Sequence, residues 1–374
     1  MRQVKVLLVQ LASMGDCLFV TTLAKQIKEN DYPNCHLSWL ITSKYLPAIL
    51  NNPYVDQVIE IPLASVNDIQ KQRNQIDKHI KDIDGYAKFD HIFITDYTKF
   101  NKKYWYGTTR SSLLRSYPFK LKNSPEPLVY LTNDEVKKVE IFCTENNINT
   151  DTFNILFECS PQSEQSLMTL ETALNISKKI VTENNKIKII LSSNQTFLSR
   201  NLNIIDGSKL SWRENAELAN YCNLMVGCSS GISWLCTSNW VKPLPFIQIV
   251  NPNYESGNFS ASMKIDFRYF GISTENIIEL YNPTDSIVES CIVASSKNKF
   301  KEIKNKYDIN DNTYFCNLKF LSEANISVYE KISIISINFI PVLINKFFRN
   351  IKIYLAYSKR LNNSIINFFR TKVR

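Results

Sequence analysis

The feature that most constrains this chain is a rhythm: short apolar runs rich in β-branched residues and leucine recur along it, each followed by a segment with helical spacing. "VKVLLVQ" at 4–10 is such a run, Thr21 to Asn30 has helical spacing, and His36 to Thr42 is the next run. A short helix over Tyr45 to Asn51 and strands over Gln57 to Ile61 and His91 to Thr95 continue the pattern. The polar stretch "ENNINTDTFN" at 145–154 has no periodicity and reads as a linker. The rhythm then restarts with strands at Ile155 to Glu158, Ile187 to Leu191, Asn223 to Val226 and Pro245 to Ile249. Helices over Thr169 to Thr182, Trp212 to Tyr221 and Ile232 to Ser238 separate them. Strands joined through helices need crossover connections, and such sheets are parallel with both faces covered. Two successive α/β domains are therefore expected, which suits 374 residues because one core rarely serves beyond about 250 to 300. The boundaries fall at 1–150, 151–290 and a basic helical tail at 291–374.

In a parallel sheet the ligand crevice lies beyond the carboxyl ends of the strands, and "SMGD" at 13–16 sits there after the first strand. Gly15 lets backbone approach a ligand, and Asp16, at the entry of a helix, is held ionised by the helix dipole and amide donors. An ionised carboxylate at a crevice can act as a general base. It can equally do no more than cap its helix. A dinucleotide fingerprint is disfavoured, because this turn has one glycine where three are needed. A second turn, Gly227 to Gly231 in "CNLMVGCSSGISWL", places Ser229 and Ser230 at a helix start. Amides and hydroxyls there suit phosphate, although the same pattern serves an ordinary strand-to-helix turn.

Together these stretches resemble glycosyltransferase family 9, the lipopolysaccharide heptosyltransferase-like enzymes. The likeness lies in residues 6–61, with the strand, the S-x-G-D turn and "NNPYVDQVI", and in "NLMVGCSSGISWL" at 223–235; "FDHIFITDY" at 89–97 and "SEQSLMTLETAL" at 163–174 also have equivalents. The resemblance implies a GT-B fold, two Rossmann-like doubly wound domains facing a cleft, and an inverting, metal-independent transferase with no cofactor beyond the nucleotide sugar it consumes. It implies Asp16 as the general base and a donor site built from Ser160, Gln165, Ser193, Asn194, Gly227, Ser229, Ser230, Gly231 and Trp234. On the acceptor side the candidates come from the residues themselves: Gly15 at the crevice, Asp96 at the carboxyl end of a strand, and Lys103, Arg110 and Arg115 of the basic segment 97–122; Asp96 can alternatively cap a turn. Ser229 stands where the family has Asp, Trp234 where it has His, and Gln165 where it has Lys, and these departures leave the donor sugar open. A catalytically silent sugar- or nucleotide-binding module and a nucleotide-sugar epimerase are the alternatives on the same fold.

Charge is unevenly spread. Of 44 Lys and Arg, nine lie at 331–374, where Asp and Glu are absent, leaving 35 basic against 35 acidic residues before it. The stretch "RNIKIYLAYSKRLNNSIINFFR" at 349–370 places apolar residues on one helical face and cations mostly opposite, the pattern of an interfacial helix on anionic lipid. Packing on the α/β domains is the competing reading. The segment 97–122 is basic with interleaved aromatics and no Asp or Glu. It suits an acidic or phosphorylated saccharide or glycolipid better than nucleic acid, and it can also be a solvated loop. Nine cysteines, an odd number without a C-x-x-C pair, sit mostly in apolar runs and suit a reducing compartment. No zinc spacing occurs among them, and His36, His79 and His91 are scattered. An apolar stretch follows Arg2 and Lys5, but it is short for a signal peptide. The expectation is a cytoplasmic protein, peripheral on the inner face of the cytoplasmic membrane.

Overall fold

A computed structural model describes residues 2–11, 13–61, 88–95, 109–122, 124–159, 165–251 and 261–309, with the single positions 78 and 328. In the first sheet β1 (Lys5–Val9) lies between β2 (His36–Thr42) and β4 (His91–Ile94), and β3 (Gln57–Ile61) pairs outside β2. Every pairing is parallel, with Leu8 opposite Trp39 on one side and Phe93 on the other. Both faces of β1 are buried: Val6 and Leu8 enter one core, Leu7 and Val9 another. This is why its sequence is a continuous apolar run and does not alternate.

The second sheet has the order β10-β9-β8-β5-β6-β7 and is also wholly parallel. Its strands are β5 (Phe153–Glu158), β6 (Ile187–Ser192), β7 (Ile204–Asp206), β8 (Leu224–Gly227), β9 (Phe246–Val250) and β10 (Ile277–Tyr281). The chain enters at the centre, runs outward through β6 and β7, then returns to build β8, β9 and β10 on the other side.

The helix after β1, α1 (Met14–Gln26), begins earlier than its periodicity suggests. Its residues from Gly15 through Thr21 are all buried, so no polar face marks it as a helix. The short helix expected at 45–51 is a tighter 3-10 turn, Ser43–Ala48, containing Pro47. α2 (Thr109–Arg115) and α3 (Asn133–Glu145) precede β5, and the linker reduces to residues 146–152. Around the second sheet lie α4 (Leu170–Glu183), α5 (Glu214–Asn220), α6 (Gly231–Leu235) and α7 (Met263–Tyr269). α8 (Asp285–Ser296) crosses the boundary expected at 290, and α9 (Phe300–Tyr307) follows it. Ile303 of α9 joins the core of the second sheet, and the Ile309 amide donates to the Glu279 carbonyl at 2.8 Å. The second α/β unit therefore extends to Ile309.

Arg213 ties the sheets together. Its Nε donates to Glu135 Oε1 at 2.6 Å, Nη1 to the carbonyls of Pro47 and Leu50, and Nη2 to that of Tyr130 at 2.6 Å. Both sheets belong to one compact unit, which takes in the chain through Ile309. The basic tail at 331–374 lies outside the described residues.

Candidate active site

Each sheet has one place where strand order reverses: between β1 and β4 in the first, and between β5 and β8 in the second. Ligands of open α/β sheets bind beyond the carboxyl ends of strands at such reversals. Here the two sets of strand ends meet through glycines. A Cβ added at Gly15 would lie 3.2 Å from the Gly231 Cα and 3.1 Å from Arg110 Nη2. One added at Gly231 would lie 3.2 Å from Trp212 Nε1. Only residues without a side chain let the starts of α1 and α6 approach this closely.

Asp16 stands at that contact, 2% exposed. Its Oδ2 accepts from the Ser13 amide at 3.5 Å and the Ser13 hydroxyl at 3.1 Å, so one oxygen caps its own helix. The other oxygen, Oδ1, lies 3.6 Å from Arg110 Nε. One oxygen thus caps the helix, and the other faces Arg110. Arg110 is itself buried, its guanidinium 4.8 Å from the Trp234 ring centroid and its amide donating to Asp266 Oδ1 at 3.1 Å. A desolvated cation on an indole face is worth about 2 kcal/mol. Trp234 packs edge-on against Phe19 and Phe267, with centroids 5.3 and 5.5 Å away, and its Nε1 donates to Ser229 Oγ at 3.1 Å. The residue that departs from the family pattern is here the platform under the arginine.

Ser229 and Ser230 are buried, and their hydroxyls are engaged within the protein. The Ser230 oxygen accepts from the Ser233 amide at 3.4 Å, capping α6, while its hydroxyl donates to Glu158. Glu158 ends β5, and burial pushes its carboxyl up to about 7 against the opposing pull of hydrogen bonds from Ser230 and the Cys228 backbone. A Cβ at Gly227 would lie 2.9 Å from Glu158 Oε2, so this glycine makes room for the carboxylate. Sequence reasoning missed Glu158; the signal was a charge closing the apolar run "FNILFE".

Gly15, Asp16, Arg110, Gly227, Ser229, Ser230, Gly231 and Trp234 thus converge. Other expected site residues stand apart. Ser193 and Asn194 follow β6, one strand over from β5, where the Ser193 hydroxyl accepts from the Gln195 amide at 3.0 Å. Gln165 is buried by the end of β9, its carbonyl accepting from the Asn251 amide at 3.0 Å. Arg115 lies five residues along α2 from Arg110, its guanidinium 5.3 Å from the Tyr269 ring centroid. Ser160, Asp96 and Lys103 lie outside the described residues. Among the described residues no group of three or more His, Cys, Asp or Glu is placed to hold a metal ion. The eight described cysteines are all buried as free thiols. His91 packs between Tyr32, 4.4 Å away, and Phe93, 6.3 Å away.

No family model matches the chain, and no curated protein matches it. Solved structures do. A glycosyl transferase family 9 protein from Veillonella parvula DSM 2008 superposes with a TM-score of 0.52 at 12% identity, over 82% of this chain and 99% of that one. The E. coli ADP-heptose lps heptosyltransferase II superposes with a TM-score of 0.51 at 12% identity, over 79% of this chain and 99% of that one. At such identity the likeness is one of fold: the chain has the two-sheet GT-B architecture of these glycosyltransferase structures.

Proposed function

We propose that the chain is an inverting, metal-independent glycosyltransferase that moves a sugar from a nucleotide sugar to a bacterial surface glycan of the lipopolysaccharide type. The observation that carries this reading is the convergence of Asp16 and Arg110 with the 227–231 turn where both sheets end. Asp16 Oδ1 takes the proton of the acceptor hydroxyl as that oxygen attacks the anomeric carbon opposite the diphosphate. The bond to the diphosphate breaks, and Arg110 with the amides of the turn meets the charge that leaves. Oδ2 stays on Ser13 and keeps the carboxylate aimed. Since Asp16 is 2% exposed, substrates reach it when the starts of α1 and α6 part, and closure then excludes water. The acceptor is an acidic or phosphorylated glycan, and the tail at 331–374 holds the protein to the cytoplasmic membrane face.

One observation favours a second reading, a sugar-binding module without activity: Glu158 sits directly behind Ser230, and an ionised carboxylate there opposes the diphosphate of a donor. Two measurements separate the readings. A thermal-shift panel of ADP, GDP, UDP and CDP sugars identifies a donor, since a ligand at 100 times its Kd stabilises by about 2.7 kcal/mol. With that donor, Asp16→Asn keeps the thermal shift and loses turnover by roughly 10²-fold or more. Unchanged turnover in folded Asp16→Asn overturns the transferase assignment of Asp16.

A further inference from the structure

Beyond the carboxyl end of α2, away from Arg110, a groove of about 510 Å³ opens that the chemistry above does not use. It falls within the roughly 300–1,000 Å³ of sites that take small molecules. Among the described residues three cations line it, Arg115, Lys120 and Lys122, and no carboxylate does. Four aromatic rings share its walls: Tyr117 and Phe119 after α2, and Tyr269 and Phe270 at the end of α7. Two of these rings are offered to solvent, with Phe119 42% and Tyr269 45% exposed. They are also braced. Phe119 packs edge-on against Tyr117, with centroids 5.5 Å apart, and Tyr269 packs edge-on against Phe270 at 4.9 Å.

The charge in the groove is arranged with equal economy. Asp31, the acid below Tyr117, is occupied by the Tyr117 hydroxyl at 2.6 Å and by Gln26 Nε2 at 2.9 Å. Lys120 and Lys122 are exposed and form no ion pair among the described residues. Sugar rings carry apolar C–H faces that pack on aromatic rings, and sugar acids or sugar phosphates carry the anions that lysines pair with. A groove offering both surfaces at once matches a ligand that has both. The groove is open to solvent between the end of α2 and the end of α7, so an extended glycan chain can be laid along it.

We propose that this groove binds an anionic oligosaccharide, Lys120 and Lys122 pairing with its carboxylates or phosphates while Phe119 and Tyr269 stack on its ring faces. Assigning that glycan to the acceptor rests on the transferase reading; the binding does not. The test uses the full chain with three probes: tetragalacturonate, neutral maltotetraose, and vesicles containing phosphatidylglycerol. Tetragalacturonate is expected to bind more tightly than maltotetraose, and Lys120→Ala/Lys122→Ala to weaken it tenfold or more with the melting temperature unchanged. Lys178→Ala/Lys186→Ala, on exposed lysines outside the groove lining, serves as the control for nonspecific attraction and leaves affinity within twofold. Phe119→Ala weakens both sugars. Equal affinity of the wild type and Lys120→Ala/Lys122→Ala for tetragalacturonate overturns the proposal, as does vesicle binding that needs these lysines while neither sugar binds. If no nucleotide sugar shifts the melting temperature but tetragalacturonate behaves as expected, the groove stands and the transferase reading falls. A nucleotide-sugar response without lysine-dependent tetragalacturonate binding overturns the groove alone.

Discussion

Glu158 and Glu135 titrate in opposite directions, and the contrast separates site from scaffold. Burial raises Glu158 to about 7 from an ordinary value of 4.5, so the folded protein holds a proton there that the unfolded chain releases. Between pH 4.5 and 7 that difference makes stability fall as pH rises, and above 7 the full cost is present. A rise of that size corresponds to roughly 3 kcal/mol. Glu158→Gln is therefore expected to be more stable than the wild type at pH 8, by up to about that amount, and nearly equal at pH 4.5. Urea unfolding of both proteins at the two pH values measures it; parallel pH dependence would refute the assignment. Glu135 behaves conversely. Burial acts to raise it, but the hydrogen bond from Arg213 and that from the Thr132 amide prevail and hold it below the usual range. Its contribution is present above the unfolded value and is lost as pH falls through the folded one.

At the scale of elements, the cap of α3 shows how local chemistry and tertiary packing share residues. Thr132 Oγ1 accepts from the Glu135 amide at 3.2 Å, and Glu135 Oε2 accepts from the Thr132 amide at 2.8 Å, a reciprocal capping box. The T-x-x-E spacing was legible in "TNDE" and would have placed this helix, which the apolar rhythm passed over. What the spacing does not reveal is that the same carboxylate receives Arg213 from beyond β7. Removing Arg213 leaves Glu135 half-buried without its cation, takes the guanidinium from the carbonyls of Pro47 and Leu50, and leaves that of Tyr130 only the Asn51 side-chain amide at 3.3 Å. Arg213→Ala is expected to lose about 3 kcal/mol, as buried pairs do when one partner goes. Arg213→Lys recovers only part of this, because an ammonium cannot span four acceptors in one plane. Chemical denaturation at pH 7 checks both, and a loss below about 0.5 kcal/mol, the scale of an ordinary surface substitution, would remove Arg213 from its role as strut. Elements also end by an unusual economy. With only eight glycines in the chain, the left-handed positions at Asn147 and Asn298, just after α3 and α8, are filled by asparagine. Asparagine tolerates that conformation better than other residues with side chains.

For the molecule as a whole, the charge division yields a prediction that needs no site. The nine cations at 331–374 meet no acidic residue there, while the chain before them is balanced. Among the described residues no helix is long and apolar enough to cross a membrane. If the tail binds anionic lipid, the chain ending at Glu330 keeps its nucleotide-sugar thermal shift and stops pelleting with vesicles containing phosphatidylglycerol. The full chain pellets with them, and 0.5 M salt weakens this, because screening reaches only about 8 Å already at 0.15 M. Equal pelleting of the two proteins, or aggregation of the shortened one, assigns the tail to packing.

The sequence by itself determined the architecture. Parallel strands buried on both faces must be apolar throughout, and helices must separate them, so two successive α/β units were written in composition and spacing, with β2 and β3 placed to the residue, while β7 and β10 went unmarked and strand order came only with the fold. It also placed Gly15, Asp16 and the 227–231 turn at strand ends, since a crevice position follows from topology alone. Tertiary structure decided which of those ends meet, and through what. Arg110 lies 94 residues from Asp16, and Trp234 lies 124 from Arg110, yet the three form one stack around a charge pair. Glu158 looks like the end of any strand until Gly227 and Ser230 are brought against it from β8 and α6. The start of α1 was hidden for a related reason. A helix buried on all sides shows no period, because what it faces comes from distant parts of the chain, and only packing reveals that both sides are core.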